Sequence, residues 1–326
     1  MISDTNLVKQ LTRTGHSSWH HLFHISYCGY LWGDFMKNLV YCLLLCSSVV
    51  FADIPKYFGY DWIDPYPNTA MMVYDKVKSH TNLNVVHSFA SLDSNACADG
   101  KCALNVSAGH SDVYVDICPN KTSDVECIKT SYQNIWGIVS RIKTSTNKPS
   151  AIYLIDEPFY EAALKNNGVY EPYRYSSYVC TFNEALSAYN MSIPLFTILA
   201  DNQYKNPTFR NEIVNGIPST GCSVGTKSTV DWIGIDNYTW TTKQQLLSAY
   251  STLDPQKKFR WVAVPASTYD VANSDVMLSM YKEIAEIDNN FIYIMNFRYD
   301  SRVTGSSSGL DKAIKSFGEY IIYLRK

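Results

Sequence analysis

Eight short apolar runs, each rich in β-favouring residues, recur along this 326-residue chain after residue 53. Most are separated by a segment long enough for a helix, which predicts repeated strand–helix–strand units and a parallel sheet. Eight such units in about 270 residues are typical of one α/β architecture, the single-domain (β/α)8 TIM barrel. The predicted strands are Tyr57–Tyr60, Asn84–Phe89, Asp112–Ile117, Ala151–Ile155, Pro194–Leu199, Val230–Ile235, Arg260–Val264 and Phe291–Phe297.

The segments between these runs contain the predicted helices. In one of them, Ile135, Ile138, Val139 and Ile142 recur at helical spacing. The connection from Asp201 to Thr229 is instead rich in turn residues and predicts a mostly irregular segment. A doubly wound sheet is disfavoured, because no glycine-rich phosphate turn follows the first strand. The predicted helices are Ala70–Ser79, Ser131–Thr144, Tyr175–Tyr189, Lys243–Thr252, Ser274–Ile287 and Leu310–Leu324.

The N-terminal region has the pattern of a targeting segment. Met36–Ala52 has one lysine, an apolar run of roughly a dozen residues and small residues before a cleavage point. We therefore expect residues 1–35 to be a non-native or disordered extension, 36–52 a signal peptide and 53–326 the barrel domain. This predicts a secreted or periplasmic protein with no stable membrane span after cleavage. An uncleaved anchor is the alternative, although the apolar run is short for a membrane span.

Six cysteines follow the predicted signal peptide, and an even number in an exported chain favours disulfide bonds. Fifteen connectivities exist for six cysteines. Proximity in the sequence favours two local pairs, and these leave one long-range pair. The predicted pairs are Cys97/Cys102, Cys118/Cys127 and Cys180/Cys222.

Composition limits the class of partner. The net charge is −2 at pH 7, so the chain lacks the basic field that holds nucleic acid. Aromatic residues make up 14% of the chain and include 25 tyrosines, whose rings and hydroxyls suit a sugar ligand. His87 and His110 are too few and too scattered to indicate a metal site. We therefore expect a carbohydrate partner, no nucleic acid, no cofactor and no metal.

Polar residues follow the predicted strands, and in a barrel the carboxyl ends of all strands meet at one mouth. Asp156 and Glu157 follow the fourth strand, which cannot continue past Pro158, and Asp236 follows the sixth strand. These three carboxylates are the catalytic candidates, although an aspartate at a strand end also often caps a helix. The candidates for ligand binding are Asp61, Trp62, Asp116, Asp201, Asn237, Tyr238, Trp240, Asn296, Arg298 and Tyr299.

Two of these segments resemble known enzymes. Tyr153–Pro158 resembles the Asn-Glu-Pro strand of barrel glycoside hydrolases of the large retaining clan, and Val230–Tyr238 is similar to their sixth strand. The resemblance implies a barrel that hydrolyses glycosidic bonds, with Glu157 as the acid/base. The chain departs from the pattern twice. Asp156 stands where the clan has Asn, and Arg260–Pro265 has no Glu where the clan places its nucleophile.

The sequence thus predicts an exported glycoside hydrolase that cleaves a poly- or oligosaccharide. Glu157 is the predicted general acid and Asp236 the base or nucleophile, with Asp156 assisting its neighbour. Adjacent residues on a strand point in opposite directions, so at most one of Asp156 and Glu157 faces the ligand unless the strand breaks there.

Two alternatives stay open. The absence of a glutamate after the seventh strand favours a catalytically inactive exported barrel that binds a glycan or a protein partner. A metal-dependent hydrolase or lyase would use Asp61, Asp116 and Asp236 as oxygen ligands, although the scarcity of histidine disfavours it.

Overall fold

The chain divides into two units, Met1–Phe51 and Ala52–Lys326, and the residues described below all belong to the second. The computed structural model describes residues 55–61, 77–86, 102–105, 135–146, 148–159, 165–166, 169–217, 223–265, 276, 279–280, 283, 288, 290–296 and 309–324. In these ranges, no helix is long and apolar enough to cross a membrane. The predicted signal peptide and its cleavage remain predictions.

Eight parallel strands form the main sheet, in the order β1-β10-β9-β8-β7-β4-β3-β2. The short strands β5 and β6 form a separate antiparallel pair. The fifth to eighth strands of the main sheet are therefore β7 to β10. The strands are β1 Tyr57–Tyr60, β2 Asn84–Val86, β3 Cys102–Asn105, β4 Ala151–Asp156, β5 Lys165–Asn166, β6 Val169–Tyr170, β7 Leu195–Ala200, β8 Trp232–Asp236, β9 Arg260–Ala263 and β10 Phe291–Asn296.

The two edges of this sheet meet, because β1 also contacts the segment that leads into β2. The carbonyl oxygen of Phe58 accepts hydrogen bonds from the backbone N–H groups of Asn82 at 2.9 Å and Leu83 at 3.3 Å. The Asn84 side chain accepts another from the Tyr60 backbone N–H at 3.0 Å. Since β1 pairs with β10 on its other side, the ring closes, and the predicted (β/α)8 barrel is confirmed.

Gly59 lies where the closing strands approach most tightly. A Cβ atom added at Gly59 would lie 1.6 Å from the carbonyl oxygen of Leu83. We expect Gly59→Ala to reduce the free energy of unfolding by about 3 kcal/mol, because the backbone of β1 would have to move away from Leu83. Urea denaturation of the full chain measures this loss. A change below about 0.5 kcal/mol, the usual range for surface substitutions, would contradict the close approach of the two segments.

Six helices contain described residues over at least one turn. Three of the predicted helices, at 175–189, 243–252 and 310–324, are confirmed to within one residue at each end. The helices are α1 at 135–144, α2 Arg174–Ala188, α3 Asp201–Lys205, α4 Pro207–Asn215, α5 Lys243–Leu253 and α6 Gly309–Leu324.

The connection after Asp201 is more helical than predicted, because it contains α3 and α4. The Asn206 side chain accepts hydrogen bonds from the backbone N–H groups of Thr208 at 2.9 Å and Phe209 at 3.4 Å. Pro207 occupies the first turn of α4, where its missing N–H costs nothing. Residues that usually indicate a turn thus cap a helix here.

The third strand is also not where the sequence predicts it. The prediction was Asp112–Ile117, whereas Cys102–Asn105 pairs with β2 and β4 at that place in the barrel. In Asp112–Ile117, valine and isoleucine alternate with two aspartates and a tyrosine, which is typical of a strand with one face exposed to solvent. This run, including the candidate Asp116, lies outside the described residues.

Alternate side chains along each strand point to opposite faces and belong to two different hydrophobic clusters. One contains residues of the strands together with residues of the helices, such as Ile138 and Leu246, and fills the space between the barrel and its helices. The other contains strand residues and Leu83, and fills the barrel interior. The interior cluster is Leu83, Val85, Ala151, Tyr153, Phe196, Ile198, Trp232, Val262, Val264, Tyr293 and Met295.

Among the cysteines, Cys180 lies buried in α2 and is disulfide-bonded. Cys102 lies in β3. Since Cys97, Cys118, Cys127 and Cys222 lie outside the described residues, the three pairings remain predictions.

Candidate active site

Two of the candidate carboxylates lie on the interior side of their strands. On β1, Tyr57 packs against the interior cluster, and Asp61 follows it by four residues. On β8, Trp232 belongs to that cluster, and Asp236 again follows by four. Because side chains two and four residues apart on a strand share a face, Asp61 and Asp236 both point towards the barrel axis at its C-terminal end.

The fourth strand brings in a third carboxylate by breaking the alternation. Tyr153 faces the interior, so a regular strand would direct Glu157 inward and Asp156 outward. The pairing of β4 with β7 shifts between Tyr153 and Asp156, where three steps along β4 match two along β7. This β-bulge reverses the phase, and the Tyr153 hydroxyl donates a hydrogen bond to Asp156 Oδ1 at 2.5 Å. Asp156 therefore lies on the interior side.

Glu157 directly follows β4 and has a backbone conformation that is uncommon for any residue other than glycine. Its φ angle is +45°, and its N–H donates a hydrogen bond to the Ile198 carbonyl at 3.0 Å. The chain thus turns at Glu157, whose side chain is half-buried. The strand therefore breaks its regular alternation at Asp156 and Glu157, which is the condition under which both acids can serve one site.

Burial raises the pKa values of Asp156, Glu157 and Asp236. Burial raises the pKa of Asp156 well above its usual range, opposed by the hydrogen bond from Tyr153 and reinforced by the charges of Asp61, Asp236 and Glu157. Burial likewise raises the pKa of Asp236 to about 7, opposed by a hydrogen bond from its neighbour Tyr238. Burial also raises the pKa of Glu157. A carboxyl group with a pKa near 7, such as Asp236, can exchange protons near neutral pH, as acid/base chemistry requires.

Three further predicted residues surround Asp236. The Tyr238 hydroxyl donates a hydrogen bond to Asp236 Oδ2 at 2.8 Å. Asn237 donates from Nδ2 to Asp201 Oδ1 at 2.7 Å, and Asp201 also forms an ion pair with Lys205. The charge of Asp201 is thus already matched, which distinguishes it from the interior carboxylates.

Two predicted ligand-binding residues have other positions. Asn296 is 0% exposed and donates a hydrogen bond to the Gly59 carbonyl at 2.9 Å, so it joins β10 to β1. Trp240 is 6% exposed and belongs to the cluster between the strands and the helices. Neither side chain has a surface on which a sugar could bind, so both assignments are corrected. Trp240 is buried by apolar packing between the strands and the helices, and Asn296 is buried where β10 pairs with β1.

Four predicted site residues, Trp62, Asp116, Arg298 and Tyr299, lie outside the described residues. Within the described ranges, no group of three or more His, Cys, Asp or Glu residues could hold a metal ion.

Tyr153 is a site residue that sequence reasoning missed. Its ring stacks on Phe196 with centroids 4.7 Å apart, and this packing directs its hydroxyl to Asp156. A tyrosine three residues before an aspartate was visible in the sequence. The bulge that brings the two side chains to the same face was not.

We expect Tyr153→Phe to raise the pKa of Asp156 further, because the lost hydrogen bond stabilises the ionised carboxylate. Asp156 would then keep its proton to a higher pH. Carboxyl-carbon NMR titration of the labelled protein measures this shift. Tyr293→Phe is the matched control, since the Tyr293 hydroxyl is also buried in the barrel but donates to the Leu83 carbonyl at 3.0 Å. An equal pKa for Asp156 in wild type and Tyr153→Phe would contradict the hydrogen bond.

The fold is similar to that of several solved structures. An endo-1,4-β-xylanase from Penicillium canescens has 11% identity and a TM-score of 0.57, over 82% of this chain and 95% of that chain. A GH10 xylanase from Bispora sp. MEY-1, solved with xylobiose, has 12% identity and a TM-score of 0.54, over 78% and 86%. A GH5_18 protein from Streptomyces cattleya, solved with Manb1-4GlcNAc, has 9% identity and a TM-score of 0.53, over 83% and 80%.

The chain thus shares the barrel fold of these solved structures. At these identities the likeness shows the fold alone. No protein family and no curated protein matches the sequence of the chain. The carboxylates of this barrel lie at the ends of its first, fourth and sixth strands.

Proposed function

We propose that this protein is a secreted or periplasmic glycoside hydrolase that cleaves a poly- or oligosaccharide by carboxylate acid/base catalysis. One observation carries the proposal, namely the cluster of Asp61, Asp156, Glu157 and Asp236 at the C-terminal end of a (β/α)8 barrel. Active sites of this fold lie at that end. The similar barrels include xylanases, which supports a glycan as the substrate.

Within the cluster, Glu157 and Asp236 fit the two roles of glycoside hydrolysis. Glu157 is half-buried at the turn after β4, where burial favours its protonated form and the side chain remains partly accessible. It would protonate the glycosidic oxygen. Asp236 receives a hydrogen bond from Tyr238, which stabilises its ionised form for the role of base or nucleophile.

Asp156 has a supporting role in this proposal. Its Oδ1 atom already accepts a hydrogen bond from the Tyr153 hydroxyl, and burial favours its protonated form. The protonated form would limit the negative charge beside Glu157. Asp201, Asn237 and Tyr238, together with Trp62, Arg298 and Tyr299, are the proposed contacts to the sugar. Asp61 is buried, and in this proposal it acts through its charge on Asp156 and Asp236.

The seventh barrel strand favours a second candidate, a catalytically inactive barrel that binds a glycan or a protein partner. β9 and the two residues after it, Val264 and Pro265, contain no carboxylate, although the similar clan has its nucleophile on this strand. In our proposal Asp236, from β8, takes that role.

The test is reducing-end release from a panel of polysaccharides by the full chain, with calorimetric binding of the same glycans in parallel. Release from any member of the panel supports the hydrolase, and NMR of the first product then shows whether the anomeric configuration is retained or inverted. Binding of a glycan without release supports the inactive barrel. Neither binding nor release by the folded protein would contradict both forms of carbohydrate function.

A further inference from the structure

A buried glutamate outside the site connects the segment after β4 to a neighbouring helix. Glu212, on α4, is 2% exposed. Its carboxylate accepts hydrogen bonds from the Tyr170 hydroxyl at 2.6 Å, the Tyr173 N–H at 2.8 Å and the Ser176 N–H at 2.9 Å. We call Glu212, Tyr170, Tyr173 and Ser176 the Glu212 network. A buried carboxylate with three donors resists displacement, because leaving any of these donors unpaired away from water costs free energy.

The Glu212 network provides the N-terminal cap that α2 lacks in its own sequence. The residue before α2 is Tyr173, which has a φ of +67° and no capping side chain, and the first turn contains no acid. The Glu212 carboxylate accepts from two of the N–H groups at this end of α2. An anion at a helix N-terminus is favourable, so α4 fixes where α2 begins.

The same network reaches the other end of the segment through aromatic contacts. Phe159, two residues after Glu157, stacks on Phe209 of α4 with centroids 4.0 Å apart and planes inclined by 3°. Its ring also forms a T-shaped contact with the ring of Tyr170, with centroids 4.8 Å apart. The Tyr170 hydroxyl in turn donates a hydrogen bond to Glu212. Both ends of the segment between β4 and α2 are therefore held by α4.

We infer that Glu212 is a positioning residue for Glu157. Glu212 holds Tyr170 and Tyr173 beside α4, and Tyr170 packs on Phe159, which lies two residues after Glu157. These contacts fix the turn that contains Glu157. The expected effect on activity rests on the proposed function. The contacts of α4 with Phe159, Tyr170 and Tyr173 do not depend on that function.

The test compares Glu212→Ala with Asp254→Asn in the full chain. Asp254 is also a buried carboxylate, 1% exposed, that accepts from three N–H donors, the backbones of Lys258 and Phe259 and the Trp261 indole. It precedes β9 and so lies at the opposite end of the barrel. We expect Glu212→Ala to lower kcat by about 10²-fold with little change in KM, since a displaced acid still leaves the sugar contacts intact. Asp254→Asn should lower Tm but not kcat of the folded protein.

Backbone hydrogen exchange gives a readout that does not need activity. The Glu157 N–H is bonded to Ile198, and its exchange should accelerate in Glu212→Ala but not in Asp254→Asn. If Glu212→Ala does not fold, Tyr170→Phe removes a single hydroxyl of the Glu212 network and should show a smaller change of the same kind. If the wild type cleaves no glycan, the proposed function fails while exchange still tests the positioning. Unchanged exchange at Glu157 would overturn the inference, as would an unchanged kcat in an active enzyme.

Discussion

Glu157→Gln is expected to lower kcat for glycan hydrolysis by about 10²–10⁴-fold, because the leaving sugar would depart without a proton. Glutamine keeps the size of the side chain and cannot donate a carboxyl proton. Hydrolysis of a nitrophenyl glycoside of the same sugar should fall much less, since nitrophenolate leaves without protonation. The measurement is kcat on both substrates by reducing-end release and by absorbance.

The control for this variant is Glu184→Gln on α2, whose carboxylate accepts the Ser223 N–H at 2.8 Å outside the carboxylate cluster. It should leave both rates within two-fold of the wild type. Equal losses on the natural glycan and the nitrophenyl glycoside would show that Glu157 is not the proton donor. No loss on either substrate would remove it from the mechanism.

Asp236→Asn is expected to lower kcat on both substrates by about 10³-fold, because a base or nucleophile is needed whatever group leaves. Burial raises the pKa of Asp236 to about 7, and the role requires the ionised form. In the wild type, kcat/KM should therefore fall as the pH falls through about 7. In Asp236→Asn this limb of the pH profile should disappear from the residual activity.

Asp231→Asn is the matched control, since Asp231 precedes β8 whereas Asp236 ends it. Asp231 accepts the Leu195 N–H at 2.9 Å and forms an ion pair with Lys227, so its loss affects stability at the other end of the barrel. If kcat/KM instead falls as the pH rises through 7, and Asp236→Asn keeps its rate on the nitrophenyl glycoside, the two roles are exchanged. Asp236 would then be the acid and Glu157 the base.

The sequence was sufficient for the barrel and for the carboxylates at its mouth. Apolar runs record burial on both faces of a strand, and seven of the eight barrel strands fall on predicted runs. Asp61, Asp156 and Asp236 were visible because parallel strands bring their ends together whatever the details of packing. The third strand was missed because Cys102–Asn105 is short, while a longer alternating run follows it.

Features that depend on partners far along the chain were not predictable in the same way. Trp240 is buried because its ring packs between the strands and the helices. Asn296 is buried where its side chain donates a hydrogen bond to the Gly59 carbonyl. Glu212 meets Tyr173 only once α2 and α4 lie side by side. In each case the residue type fits several environments, and the tertiary structure selects one.

The bulge in β4 accommodates one more residue than the facing part of β7, just before the carboxylate cluster. Leu154 and Ile155 together oppose the single residue Thr197. A chain lacking one of them would regain regular alternation and would still direct the aspartate inward, because Tyr153 and the aspartate would then be two residues apart. The bulge thus accommodates one extra residue in the strand without changing which carboxyl group enters the barrel interior.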